Sequence, residues 1–569
     1  MLPDAGQESA GVRIGSVSVE GVEDLFRRLE QLNAIGAALS KEKDIDRLLE
    51  AILLAAKAIT RSEGGTLYLL EGSDEGPRLK FAIMRNETLN IAMGGTTGNP
   101  IPFYPVHLYG KDGKPNRQMV AAYAALTGET VNIADAYTEQ GFDFSGTRNF
   151  DKKTGYRSRA FLTVPMKNHE GELIGVLQLI NSKDPATGQI VPFSGSDQRL
   201  AESLASQAAI ALTNRQLINQ LEELFESFIE LINTAIDEKS PYTGGHCQRV
   251  PVLTMMLADA VDGVRDGPLK GFSMSGKDRY ELKIAGLLHD CGKVTTPVHV
   301  VDKATKLETI FDRIHLLDTR FEVLKRDAEI LALKQKLELL RSRGLDEIEA
   351  REELGRVDQA LREAHRQLEE DREFLRHCNV GDEFMSPEAQ TRVARIGTGR
   401  KWIDVSGGTA DFLTKDEMKN LTIARGTLTA EERETINHHI VATIKMLEAL
   451  PWPKHLRNVP EYAGGHHERM DGRGYPRGLT REQMSVQARI MGIADIFEAL
   501  TAKDRPYKRG KTLSESLKIL GNFKLNGHID SDLFDVFIRG KVYLRYAEQF
   551  LDPDQIDEVD ESKIPGFVP

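Results

Sequence analysis

The sequence predicts a multidomain chain: an α+β sensory domain joined by a long helix to an all-α, metal-binding domain. Three observations predict it. Apolar residues recur at helical spacing from Val22 to Ile59, give way to strand-like runs, and return to helical spacing from Ser196. Leucine and isoleucine then repeat every seventh residue, at Ile210, Leu217, Leu224 and Leu231, which carries the same helix onward. Beyond Lys239 the periodic stretches are helical, and His and Asp sit inside or at the ends of their apolar runs.

Composition narrows the class. The 569 residues carry a net charge of -12, which argues against a general nucleic-acid binder. No uninterrupted apolar run is long enough to span a bilayer, and no charged-then-apolar leader opens the chain. The expectation is a cytoplasmic protein without a membrane partner. Three cysteines, Cys247, Cys291 and Cys378, make no disulfide framework and read as small buried hydrophobes.

In chain order, residues 1–22 lack periodicity and read as a tail. Residues 23–215 form the first domain. Its strands are expected at Gly65–Leu70, Leu79–Met84, Ala160–Met166 and Leu173–Asn181. Residues 216–238 continue the heptad, with Leu221 and Phe228 on the alternate seam positions and Glu222, Glu223 and Glu226 outside it. This pattern predicts a short parallel coiled coil and hence a homodimer. The second domain occupies 239–560 and is read as all-α. A charged helical stretch from Phe311 to Arg376, punctuated at Gly344, predicts an antiparallel hairpin whose charges are solvated.

The first domain resembles a GAF domain. The resemblance rests on Glu170-Gly-Glu-Leu-Ile-Gly-Val-Leu-Gln-Leu-Ile-Asn181, and on Asn132-Ile-Ala-Asp-Ala-Tyr137 before Thr154-Gly-Tyr-Arg-Ser-Arg159. Both are similar to the GAF domains of cyclic-nucleotide phosphodiesterases, which implies a small ligand such as a cyclic nucleotide. Of the signature associated with that binding, Asn181, Phe193 and Asp197 match. Ser182 and Gln198 stand where Lys and Glu belong.

The chemistry lies in the second domain. The apolar run Ile284–Leu288 ends in His289-Asp290, and burying such a pair is costly unless it is paired or bound to a metal. Further His and Asp residues recur on separate predicted helices: His246, His438-His439, His466-His467 and Asp495. Imidazole and carboxylate donors converging from four segments fit a shared metal centre better than independent accidents.

These motifs resemble an HD-GYP domain. The match runs through Thr243…His246-x-x-Arg249-Val250, His289-Asp290-x-Gly292-Lys293, His466-His467-Glu468-x-x-Asp471-Gly472-x-Gly474-Tyr475-Pro476, and Asp495. About a hundred additional residues, roughly 308–425, interrupt it. The resemblance implies a bacterial phosphodiesterase that hydrolyses cyclic di-GMP to linear pGpG and on to GMP. It implies His246, His289, Asp290 and Asp495 as ligands of one metal, and Asp290, His439, His466 and His467 as ligands of a second, with Asp290 bridging. His439 rather than His438 keeps the family spacing. Tyr242 stands where some members carry a third-metal Glu, so two divalent ions are expected, iron first and manganese second. Asp290 and Lys293 are then the catalytic residues, and Lys293, Arg505 and Lys508 contact phosphate. The Gly474-Tyr475-Pro476 loop is implied as a docking surface for a protein partner. Two alternatives stand beside this reading: another cyclic dinucleotide as substrate, and a non-catalytic module that binds a nucleotide or a partner.

Overall fold

The computed structural model describes residues 19–74, 76–239, 245–341, 347–381, 384–503 and 510–568. The chain forms two compact units, Met1–Phe225 and Glu226–Pro569. Most of the expected tail lies outside the described residues, as do Tyr242, Gly344, Arg505 and Lys508.

The first unit begins with helices α1 (Val19–Leu39) and α2 (Ile45–Thr60). Asp44 caps α2 by accepting from the Arg47 amide, and Leu48, Leu49, Ile52, Leu53 and Ala56 bury one face of it. The strands follow: β1 (Ser62–Glu71), β2 (Arg78–Asn86), β3 (Ile91–Gly94) and β4 (Val106–His107). Next come α3 (Val120–Thr127), β5 (Val131–Ile133), α4 (Ser145–Thr154), β6 (Phe161–Lys167), β7 (Leu173–Lys183) and β8 (Ile190–Val191). The antiparallel sheet has the order β3-β2-β1-β7-β6-β5, with β4 on β2 and β8 on β7. The long helix α5 (Gly195–Lys239) closes the unit with its first turns. Alternation along β7 sends Leu177 and Leu179 into a core with α2 and with Leu200, Leu204 and Ala208 of α5. Val176 faces the other side, with Tyr68 of β1 and Ala121 and Ala122 of α3.

All four expected strands are present. The short strands β3, β4, β5 and β8 are additions, each defined by its pairing with a longer neighbour. Asn181, in the left-handed region at φ 58°, accepts from the Arg159 and Ala160 amides at 2.8 and 3.1 Å. Its amide donates to Arg157 O, Tyr156 Oη and Glu63 Oε2. Asp197 accepts from the Ser194 amide at 2.9 Å and pairs with Arg28. Phe193 is core. The three matching signature residues are therefore committed to holding this domain together.

The second unit is helical, with α6 (His246–Asp262), α7 (Gly276–Leu288) and the short α8 (Val298–Val301). Helices α9 (Ile314–Arg341) and α10 (Glu347–Asn379) pair antiparallel, as expected for the charged stretch. Some of their charges also pair across the hairpin, as in Lys325–Glu369 (2.7 Å) and Arg376–Asp318 (2.8 Å). Then come α11 (Pro387–Gly399), a two-stranded hairpin of β9 (Lys401–Ile403) and β10 (Thr409–Asp411), and α12 (Lys415–Leu421). That hairpin is the departure from an all-α reading. These elements share a core of their own, including Leu317, Phe321, Leu375, Val393, Phe412 and Leu421. Helices α13 (Ala430–Glu448), α14 (Val459–Gly464), α15 (Val486–Thr501), α16 (Leu513–Leu525), α17 (Ser531–Arg539) and α18 (Val542–Phe550) complete the unit. No helix among the described residues is long and apolar enough to cross a membrane.

Candidate metal centre

Five local structures converge on one point of the second unit. Helix α7 is started by a Ser275/Asp278 capping box and ends at Leu288, so that His289 is its C-cap and Asp290 begins a 3-10 turn. That turn lies flush on α13. The Gly292 amide donates to Thr443 Oγ1 at 2.9 Å, and a Cβ on Gly292 would collide with the His439 carbonyl. His246 opens α6, His466 and His467 follow α14, and Asp495 projects from the apolar helix α15.

Asp290 sits at the centre, 2% exposed. Its Oδ2 lies 3.2 Å from His246 Nε2 and 3.3 Å from His289 Nε2. Its Oδ1 lies 3.3 Å from His439 Nε2. Asp495 Oδ1 is 3.2 Å from His246 Nε2 and 3.8 Å from His289 Nε2. His439 and His467 bring their Nε2 atoms to 3.2 Å. The donor atoms fall into two groups, His246/His289/Asp290 and His439/His466/His467, each with its atoms within 4.8 Å of one another.

Tautomers follow from the backbone. His289, His439 and His466 each place Nδ1 on the carbonyl three residues earlier, at 2.8, 2.5 and 2.6 Å. A carbonyl only accepts, so Nδ1 carries the hydrogen and Nε2 turns a lone pair into the site. His466 Nε2 and Asp290 Oδ1 have no hydrogen-bond partner among the described residues, although both are buried. Buried acceptors that meet only other acceptors are costly, and a divalent cation satisfies them all. The residues present therefore fit a metal. His438 is exposed on α13, facing away from the buried His439.

The GAF domain family matches residues 44–212, and the HD domain family matches residues 243–376 and again 415–533. The chain joins a GAF domain to an HD domain. The chain is similar to 3'3'-cGAMP-specific phosphodiesterase 1 of Vibrio cholerae, 47% identical over 14% of this chain and 19% of the relative. It is also similar to a cyclic di-GMP phosphodiesterase of Pseudomonas aeruginosa, 43% identical over 13% of this chain and 17% of the relative. A dual 3',5'-cyclic-AMP and -GMP phosphodiesterase 11A of Takifugu rubripes is 26% identical over 36% of this chain and 21% of its own length. The chain thus spans about a fifth of the length of each relative.

Burial pushes the Asp290 carboxyl of the HD domain up, but Lys293 and His289 beside it hold it well below the ordinary carboxylate range. Asp495 is held low against burial by the His246 hydrogen bond and neighbouring imidazoles. Burial drives His466 far down and His467 down to about 4, so both are neutral near pH 7. Burial also opposes charge on His246, but Asp290, Asp495 and Glu498 raise it well above its usual range, and the same carboxylates favour a divalent cation there. The ionised Asp290 and Asp495 are thus set beside the neutral imidazoles of His466 and His467.

Lys293 places its ammonium on Asp290 Oδ2. Tyr475 stacks on His467, ring centroids 4.8 Å apart and planes 19° from parallel. A Cβ on Gly474 would run into the backbone of Glu468 and Arg469, so this loop lies against its own stem. Glu468 is the loop's anchor, accepting from the Arg477 and Leu479 amides at 2.7 and 2.9 Å.

Sequence reasoning missed Glu498. Its side chain is 1% exposed, and it accepts from His246 Nδ1 and from Arg249 Nε at 2.7 Å. The signal was present: Glu498 follows Asp495 by three residues in the apolar half of α15, which sets both on one face.

Proposed function

We propose that the HD domain is a metal-dependent phosphodiesterase of cyclic dinucleotides, with cyclic di-GMP as its substrate. The observation that carries this reading is Asp290, whose two carboxylate oxygens address two different imidazole groups. His246, His289, Asp290 and Asp495 would hold one divalent ion; Asp290, His439, His466 and His467 would hold the other. Nitrogen and oxygen donors of this kind suit iron, with manganese second. Two such ions would supply Lewis acidity to a phosphoryl group and to water.

The chain's own residues do the rest. His246, Asp290, His439, His467 and Asp495 line a cavity of about 210 Å³ together with Arg249, Lys293, Asn437 and Tyr475. Lys293 lies within that cavity and offers its ammonium to the scissile phosphate, a cationic contact that strengthens as charge builds on the phosphoryl oxygens. Arg505 and Lys508 are proposed as further phosphate contacts. Water adds to phosphorus, the P–O3' bond breaks and the departing O3' takes a proton. The product is linear, with a 5' phosphate and a 3' hydroxyl; a second round yields GMP.

The GAF domain is proposed to bind a small ligand, such as a cyclic nucleotide, and to regulate the HD domain. Leu217, Leu221, Leu224, Phe228 and Leu231 are exposed along α5, which supports a parallel homodimer seam there. The Gly474-Tyr475-Pro476 loop is proposed as a partner surface, and the cytoplasm as the site of action. A second reading, hydrolysis of 3'3'-cGAMP, is favoured by the relative that carries that name.

The test is chromatography of products from purified, metal-analysed protein supplied with cyclic di-GMP or 3'3'-cGAMP. Linear pGpG from the first supports the reading. Product from the second alone transfers the substrate, and binding without product makes the domain a non-catalytic module.

A further inference from the structure

The insertion is wired to a ligand helix by one buried cation. The Lys303 side chain is fully buried. Its ammonium donates to Asn420 Oδ1 on α12 at 2.8 Å, and to both oxygens of Glu432 on α13 at 2.8 and 2.7 Å. Asn420 belongs to the insertion and is 4% exposed. Glu432 completes the capping box that starts α13, and His439 lies seven residues further along the same helix. Seven residues are two turns, so Glu432 and His439 share a face.

The connection continues outward. On α12, Glu417 is 2% exposed and takes two hydrogen bonds from Arg320 of α9, at 2.8 and 3.0 Å. Arg320 also donates to the Phe412 carbonyl at 2.8 Å. The root of the α9–α10 hairpin is thus fixed to α12, and α12 to α13, through two buried or half-buried charge contacts. Lys306 adds a parallel tie: its buried ammonium donates to the Ile423 carbonyl at 2.8 Å, just past α12. A buried ion pair loses much when one partner goes, because the other is left uncompensated. The insertion therefore cannot shift as a body without disturbing the N-terminus of the helix that carries His439.

We propose that Lys303 is a positioning residue through which the insertion sets the placement of α13, and with it His439, in the candidate metal centre. The insertion is then an input element, and any partner that moves the hairpin acts on the centre by this route. The inference rests on the proposed phosphodiesterase reading only for its catalytic readout.

The test is made at Asn420, because altering Lys303 itself would leave Glu432 buried and unpaired. Asn420→Ala removes the insertion's acceptor and keeps the Lys303–Glu432 pair. Asn420→Asp keeps an acceptor oxygen for Lys303; both variants lose the amide donation to the Asp416 carbonyl at 2.9 Å, so the difference between them reports the Lys303 contact. In full-length, metal-loaded protein, Asn420→Ala should speed amide exchange across Ala430–Glu448 and lower kcat, each about fivefold to tenfold, with KM unchanged. Exchange in α6 and α15 should stay as in the unaltered chain, and Asn420→Asp should restore at least half of both effects. Unchanged α13 exchange overturns the proposal, as does a rise spread equally over α6, α13 and α15, or Asn420→Asp behaving like Asn420→Ala. If the unaltered chain hydrolyses no cyclic dinucleotide, the phosphodiesterase reading falls, while the exchange pattern still decides the coupling.

Discussion

Glu498 holds His246 by its Nδ1 while Arg249 holds the other Glu498 oxygen at 2.7 Å. The carboxylate thereby turns His246 Nε2 toward Asp290 and Asp495. A carboxylate behind a ligating imidazole fixes its orientation and raises its basicity. Glu498→Ala should lower metal affinity about 10- to 100-fold, and Glu498→Gln by less, since the amide oxygen still accepts from Nδ1. Metal titration of the apo-protein checks both. Equal affinity in all three proteins would remove Glu498 from the centre.

Asp290 and Lys293 should separate metal binding from rate. Asp290→Ala removes the oxygens facing both imidazole groups, and should abolish turnover and most metal content. Lys293→Ala should keep its metal and lose about 10²-fold in kcat, as expected when an electrostatic contact to the reacting phosphoryl group is removed. Elemental analysis alongside steady-state kinetics distinguishes the two. Metal loss in Lys293→Ala would mean that its ammonium serves the Asp290 carboxylate alone.

Acid should loosen the GAF domain through Glu63. Burial raises its pKa, but hydrogen bonds from Tyr156, Lys183, Thr88 and Asn181 bring it down from 4.5 to about 2. A depressed folded-state pKa stabilises above the unfolded value, and that stability is lost as pH falls through the folded one. The contribution is thus fully present above about pH 4.5 and fades toward pH 2, with an upper size of about 3 kcal/mol. Glu63→Gln should expose β1 amides to faster exchange at pH 7, and its difference from the unaltered chain should shrink between pH 4.5 and pH 3. A difference that is constant with pH would contradict the assignment.

The α5 seam makes the fourth prediction. Leu224 is 52% exposed and in line with Leu217 and Leu231. In a parallel dimer, Leu224→Asp would set two carboxylates against each other in an apolar seam, which is costly. Sedimentation should show monomers, and the rate should change while metal content holds, because the candidate ligands lie elsewhere. An unaltered dimer with an unaltered rate would take this helix out of regulation.

Local pattern carried much of this protein into view. Strand-like apolar runs located β1, β2, β6 and β7, because each strand is long enough to stand out as a run of its own. Helical spacing located α6, α7, α13 and α15, and motif order brought out the five histidine and aspartate segments that the fold then gathers. What sequence alone did not determine depends on contacts between distant residues. Strands of two to four residues have no period to read, and exist because a longer strand offers them hydrogen bonds. Asn181 and Asp197 match a ligand-associated signature, yet only the packed domain spends their hydrogen bonds on its own backbone and on Arg28. Asn420 lies 117 residues from Lys303, and nothing in the spacing of either predicts the meeting. Likewise, a His-Asp pair announces donors, but the fold decides that one Asp290 oxygen faces His246 and the other His439. Spacing along a chain sets which side chains share a local face; which faces meet, and which buried charges find partners, is set by tertiary packing.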